Sequence, residues 1–240
     1  MRKQLLYFGL SGLFFIFGYR YPELAALLAF AWVPALLLVN GDVPLWQKLS
    51  IGAWALLSAS LSSAPQWALA TLIAWILFVL GKSLWGRQRA LLAFIFLILS
   101  AEALPFYTAW PKNLTLFLAE DFYQNPFWHP WLAQVGFLGA SFQLLFISLL
   151  SNFVILKFQS QKKWSWLLLS TIAILLLIPV FLGLSADGTP IVLSPTDENF
   201  ELLAIDRFIA RLSLFLAFFL LLFALVRKLL PKENADDRFT

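Results

Sequence analysis

Residues 164–184 read WSWLLLSTIAILLLIPVFLGL, a run without a single charged side chain. A β-barrel strand that crosses a membrane alternates apolar and polar positions over about ten residues, and this run does not alternate. Backbone groups in lipid must satisfy their own hydrogen bonds, which leaves the helix as the structure for such a stretch. The same character pervades the chain: of 240 residues, 61% are hydrophobic and only 12% charged, with mean hydropathy +0.83. A soluble surface would be short of polar groups at that balance. The sequence predicts an all-α, polytopic transmembrane helical bundle.

Working outward, apolar windows fall at Leu5–Gly18, Leu24–Val39, Leu45–Ser62, Trp67–Leu80, Leu91–Phe106, Leu132–Phe158, Trp164–Leu184 and Phe208–Leu230. A hydrocarbon core of about 30 Å asks for about 20 residues per helix. The first, second and fourth windows are short, so the first two either cross with little tilt or dip and return around Tyr19–Pro22. Arg2 and Lys3 before Leu5–Phe17 imitate a secretory leader, but every later window repeats the pattern, so this is expected to be the first span. About eight helices put both termini on one side.

Placing the termini in the cytoplasm gives that side Arg2, Lys3, Lys48, Lys82, Arg87, Arg89, Lys157, Lys162, Lys163, Arg227, Lys228, Lys232 and Arg238. Only Arg20, Lys112, Arg207 and Arg211 remain outside. Thirteen of the 17 basic residues on one side is the bias that orients bacterial membrane proteins. The net charge of +4 is therefore a topology signal; no basic domain for nucleic acid is present. With no repeat or low-complexity linker, residues 1–240 form a single transmembrane domain. An extracytoplasmic or interfacial segment is expected at 107–131 and a short extracytoplasmic loop at 185–207, so function is expected to face outward.

The most distinctive stretch, residues 110–152, reads WPKNLTLFLAEDFYQNPFWHPWLAQVGFLGASFQLLFISLLSN. Trp110, Trp128 and Trp131 suit a membrane interface, where an indole has one wet edge. With Asn113, Glu120, Asp121, Asn125 and His129 as polar handles, the segment is the candidate surface for a lipid, a lipidated polypeptide or another membrane protein. His129 is the sole histidine, and no H-x-x-x-H or H-E-x-x-H spacing accompanies it, so no metal or cofactor is expected. Four polar residues are assigned to the membrane interior: Glu102, expected to snorkel from near a helix end, and Gln134, Gln143 and Asn152, whose amides seek partners inside the bundle. Gly136 and Ala140, like Ala55 and Ala59 or Ser58 and Ser62, have the small-x-x-x-small spacing of close helix contacts.

Enzymatic motifs are sparse. No G-x-S-x-G elbow, Walker A sequence or dinucleotide fingerprint occurs, and Asn113-Leu-Thr115 matters only in a host that glycosylates. The chain has no cysteine, hence no disulfide, thiolate metal site or thiol nucleophile. A lipid-modifying enzyme built on carboxylates and His129 is the competing expectation. A transporter fits less well, for want of central charges and an inverted repeat.

Three blocks give the chain a family resemblance. Residues 10–39, LSGLFFIFGYRYPELAALLAFAWVPALLLV, residues 110–152 quoted above, and residues 206–228, DRFIARLSLFLAFFLLLFALVRK, are similar to the membrane domain of the bacterial apolipoprotein N-acyltransferases. The middle block resembles that family's W-P-x-x-L segment, N-P-x-W and G-x-x-G-x-S helix. The last resembles its final helix, often headed G-D-x-x-G-R. The resemblance implies an inner-membrane bundle concerned with lipoproteins. That family carries a nitrilase-like domain with a Glu, Lys and Cys triad between its last two helices. Here the connection is only SADGTPIVLSPTDENFELLAIDR, residues 185–207, and the nucleophile has no counterpart. The expectation is a non-catalytic relative, or one whose catalytic domain is supplied by a partner.

Overall fold

The computed structural model describes residues 2–62, 65–107, 118–119, 128–185 and 203–229. Among them the chain forms α1 (Arg2–Arg20), a 3-10 segment (Pro22–Leu27), α2 (Leu28–Ala31), α3 (Val33–Asn40), α4 (Leu45–Ser62), α5 (Pro65–Ala103), a 3-10 turn (Leu104–Tyr107), α6 (His129–Gln161), α7 (Trp166–Ser185) and α8 (Ala204–Leu229). No strand occurs among the described residues. Proline marks the first turns of the 3-10 segment, α3, α5 and α6, where its missing N–H costs no helical bond. Lys162, at φ 57°, ends α6 in the left-handed conformation, and its N–H returns to Phe158 O at 2.8 Å. This satisfies one of the open carbonyls of the last turn.

The window expected at Leu24–Val39 is not one smooth helix. Its 3-10 segment, α2 and α3 follow one another with a break at Trp32, next to Pro34. Helical hydrogen bonding runs from Pro65 to Ala103, a stretch that would be about 58 Å long if straight. It is not straight. The rings of Phe78 and Phe94 lie 5.3 Å apart and those of Trp75 and Phe94 6.2 Å, whereas sixteen residues of straight helix would separate the first pair by about 24 Å. Helix α5 therefore doubles back between Phe78 and Phe94. Its apolar arms, Ala68–Lys82 and Leu92–Ala103, correspond to the fourth and fifth windows.

Contacts fix the relative directions. Trp54 of α4 donates to Phe8 O of α1 at 3.0 Å, and Gly12 of α1 faces Trp54 and Ser58, so these two helices run parallel. Gly18 of α1 meets Leu28, while Ser11 donates to Ala31 O at 2.8 Å, so α1 is antiparallel to the α2–α3 run. Lys82, near the end of the first arm of α5, donates to Val39 O near the end of α3. On α8, Asp206 meets Leu138 and Ile209 lies beside Gly139 of α6, so the first turn of α8 sits at the Gly136 level of α6, and the helix packs on both α5 and α6.

The centre of the bundle is aromatic. Trp32 stacks on Trp75 at 5.2 Å and takes edge contacts from Phe15 and Phe94, both at 5.4 Å. Trp75 is fully buried and donates to Lys48 O at 3.1 Å. Its indole lies against the Gly52 backbone so closely that a Cβ there would stand 2.0 Å from Nε1. The outside is equally apolar: Trp166, Leu167 and Phe181 of α7 and Phe208, Phe215 and Phe218 of α8 are exposed. Glu23–Asn40, His129–Gln161 and Ala204–Val226 are each long and apolar enough to cross a membrane. Exposed apolar area on this scale needs lipid rather than water around it; this is a membrane protein.

Candidate functional site

The site lies where α6 begins. At Gly136 the backbone takes φ 72° and ψ 177° and interrupts the helix, a conformation open essentially to glycine alone. The interruption creates a second helix start inside α6, with N–H groups that have no carbonyl one turn back. Asp206 fills that position from α8. Its Oδ1 accepts from Leu138 N–H at 2.9 Å, and the N–H groups of Phe137, Gly139 and Leu203 also bond the carboxylate. The side chain is buried and so close to Gly136 that a Cβ there would stand 2.1 Å from Oδ2.

Asp206 is the third residue of α8, and by reaching back to Leu203 N–H it supplies the acidic half of a capping box. One carboxylate thus caps the start of α8 and the internal start of α6, where the helix dipole favours negative charge. The buried edge of α8 continues with Ala210, Ser213, Ala217 and Ala224, small residues that allow the close approach which seats the carboxylate.

A second polar link spans the same break. Trp131 Nε1, on the early side, donates to Gln143 Oε1 at 2.6 Å. Gln143 Nε2 donates to Leu175 O of α7 at 2.5 Å. Leu175 lies four residues before Pro179, which sits inside α7 and has no N–H to offer that carbonyl. Gln143 replaces the missing donor, and in an apolar bundle each unsatisfied backbone group is expensive.

Of the residues singled out in the sequence, Trp110, Asn113, Glu120, Asp121 and Asn125 lie outside the described residues. Trp128 is buried and His129 and Trp131 are half-buried at the start of α6. Glu102 is buried, with Oε1 accepting from Leu118 N–H at 3.1 Å. It binds backbone inside the protein instead of snorkelling to water, because the chain after α5 folds over it. Gln134 is exposed, whereas Gln143 is the bridge just described. Asn152 is buried near the other end of α6 and accepts from Asn40 Nδ2 at 3.2 Å. Gly136 does not serve as a bare helix contact; its missing side chain makes room for the Asp206 carboxylate.

Asp206 does not stand out as a site in the sequence. Its signal was an acid heading a helix with small residues at 210, 213 and 217. No cluster of three or more His, Cys, Asp or Glu able to hold a metal occurs among the described residues. Both carboxylates, Asp206 and Glu102, accept hydrogen bonds from backbone N–H groups, an arrangement suited to fixing geometry. No protein-family model, curated protein or solved structure matches the chain.

Proposed function

We propose that this chain is a non-catalytic, multi-pass subunit or scaffold of the bacterial inner membrane, related to the membrane domain of apolipoprotein N-acyltransferases. It binds a phospholipid, a lipoprotein or a membrane-protein partner at its outward end. The alternating helix directions, with α5 as two arms, support eight crossings with both termini in the cytoplasm, the orientation favoured by the distribution of basic residues.

The observation that carries the reading is the use made of two acidic groups that this orientation assigns to the outward end. Asp206 accepts from the N–H groups of Phe137, Leu138, Gly139 and Leu203, and Glu102 accepts from Leu118. These carboxylates hold helix ends and a connection in place, which suits a rigid docking platform better than proton transfer to a substrate. The absence of cysteine from the chain removes the thiol chemistry of the family it resembles.

Native-membrane co-purification of the full chain tests the proposal. A lipid or protein recovered at stoichiometric level is the expected result. Recovery of the chain alone, with neither, refutes it, and a lipid modification abolished by Glu102→Gln with the fold intact replaces it by the enzyme reading.

A further inference from the structure

Helix α8 carries two arginines on a face otherwise made of large apolar side chains. Arg207 and Arg211 are exposed and one turn apart, so their Cβ atoms are neighbours at about 5–6 Å. At about 100° per residue, Arg207, Arg211, Phe218, Leu222 and Leu225 share a strip about 60° wide. The three apolar members of that strip are exposed as well. The charges occupy its first two turns, Arg211 lying about 10 Å along the axis from Ala204, and everything below them is apolar.

Asp206, the acidic neighbour of Arg207 in the chain, does not neutralise the pair. It lies about 100° around the helix from Arg207, on the buried side, and is committed to the break in α6. Two guanidinium groups therefore face outward within a segment apolar enough to cross a membrane, where cationic side chains are costly unless they reach a counter-charge. The orientation rule does not account for them, since these are two of only four basic residues on the sparsely charged side. Paired guanidinium forks fit phosphate oxygens, and an apolar strip directly beneath fits acyl chains.

We propose that Arg207 and Arg211 bind the headgroup phosphate of an anionic phospholipid in the leaflet at the start of α8, with its acyl chains along Phe218, Leu222 and Leu225. The inference rests on the membrane-crossing reading of α8 above and names the lipid class that the outward end takes. A zwitterionic lipid binds less well, because its own cation cancels the phosphate charge that the arginines meet.

The test uses the full chain in nanodiscs containing phosphatidylcholine and phosphatidylglycerol, followed by mild extraction and native mass spectrometry of retained lipid. The wild-type chain retains phosphatidylglycerol selectively, and R207Q/R211Q lowers that retention by on the order of tenfold. R207K/R211K falls in between, since lysine keeps the charge and loses the fork. K157Q/K162Q removes equal charge at the other end of the bundle and leaves retention unchanged. Excess glycerol phosphate fails to displace the lipid, because it has no acyl chains for the apolar strip.

Equal retention by wild type and R207Q/R211Q overturns the proposal, as does an equal loss in K157Q/K162Q or displacement by glycerol phosphate. Should R207Q/R211Q fail to fold, R207K/R211K decides alone, and undiminished selectivity in it refutes the site. Loss of this site with a stoichiometric protein partner still recovered from native membranes leaves the scaffold function standing.

Discussion

Gly136→Ala is the sharpest test of the helix break. At φ 72° and ψ 177° a residue with a β-carbon carries about 1–3 kcal/mol of backbone strain. The added methyl would also stand 2.1–2.2 Å from the carboxylate atoms of Asp206, so the acid must withdraw. Withdrawal loses at least the charge-assisted bond to Leu138 N–H, worth about 1.5–3 kcal/mol. The two costs together come to about 4 kcal/mol. Reversible unfolding in mild detergent, followed by far-ultraviolet circular dichroism, measures the loss, with Asp206→Ala and the double variant completing a cycle. Because Gly136→Ala already expels the carboxylate, the double variant is less destabilised than the sum of the single ones by about 2 kcal/mol. A Gly136→Ala protein within about 0.5 kcal/mol of wild type, or strictly additive effects, would refute the account of Asp206 as the cap of α6.

Two further outcomes follow from the packing and a third from the proposed orientation. Gln143→Leu removes the donor to Leu175 O and costs about 1–3 kcal/mol; adding Pro179→Ala returns an N–H to α7 and recovers part of that loss, which thermal melts of the single and double variants will show. Gly52→Ala drives a methyl into Trp75, whereas Gly9→Ala meets nothing within 4 Å. The first lowers the melting temperature, and the second leaves it unchanged or raises it, because alanine is the better helix former by about 1 kcal/mol. The chain has no cysteine, so single cysteines report topology without background. A cysteine at Asn113 should react with an impermeant maleimide in intact cells, and one at Arg89 only after permeabilisation; the reverse pattern would invert the proposed orientation.

Apolar patterning made the helices legible. The window Leu45–Ser62 coincides with α4, Leu132–Phe158 lies within α6, and the two windows around Lys82–Arg89 match the two arms of α5. These segments are long and almost continuously apolar, and that composition leaves a mark in the sequence itself. The site left much less of a mark. Asp206 and Leu138 are 68 residues apart, and the partner of the carboxylate is backbone, which has no residue identity to read. The small spacing of Gly136 and Ala140 suggested helix contact equally well, because a glycine that must adopt positive φ and one that admits a neighbour look alike. Gln143 presented the same difficulty: its partner is a carbonyl freed by Pro179, and only the fold brings α6 and α7 into register.

The cap on α6 has a consequence for biosynthesis. Helix α6 leaves the ribosome well before the residue that completes it, since Asp206 is translated 68 residues after Leu138. Until α8 packs, the N–H groups at the Gly136 break have no Asp206 carboxylate to meet, and a chain truncated before Asp206 never acquires it. Helix α8 thus acts as a keystone for α6.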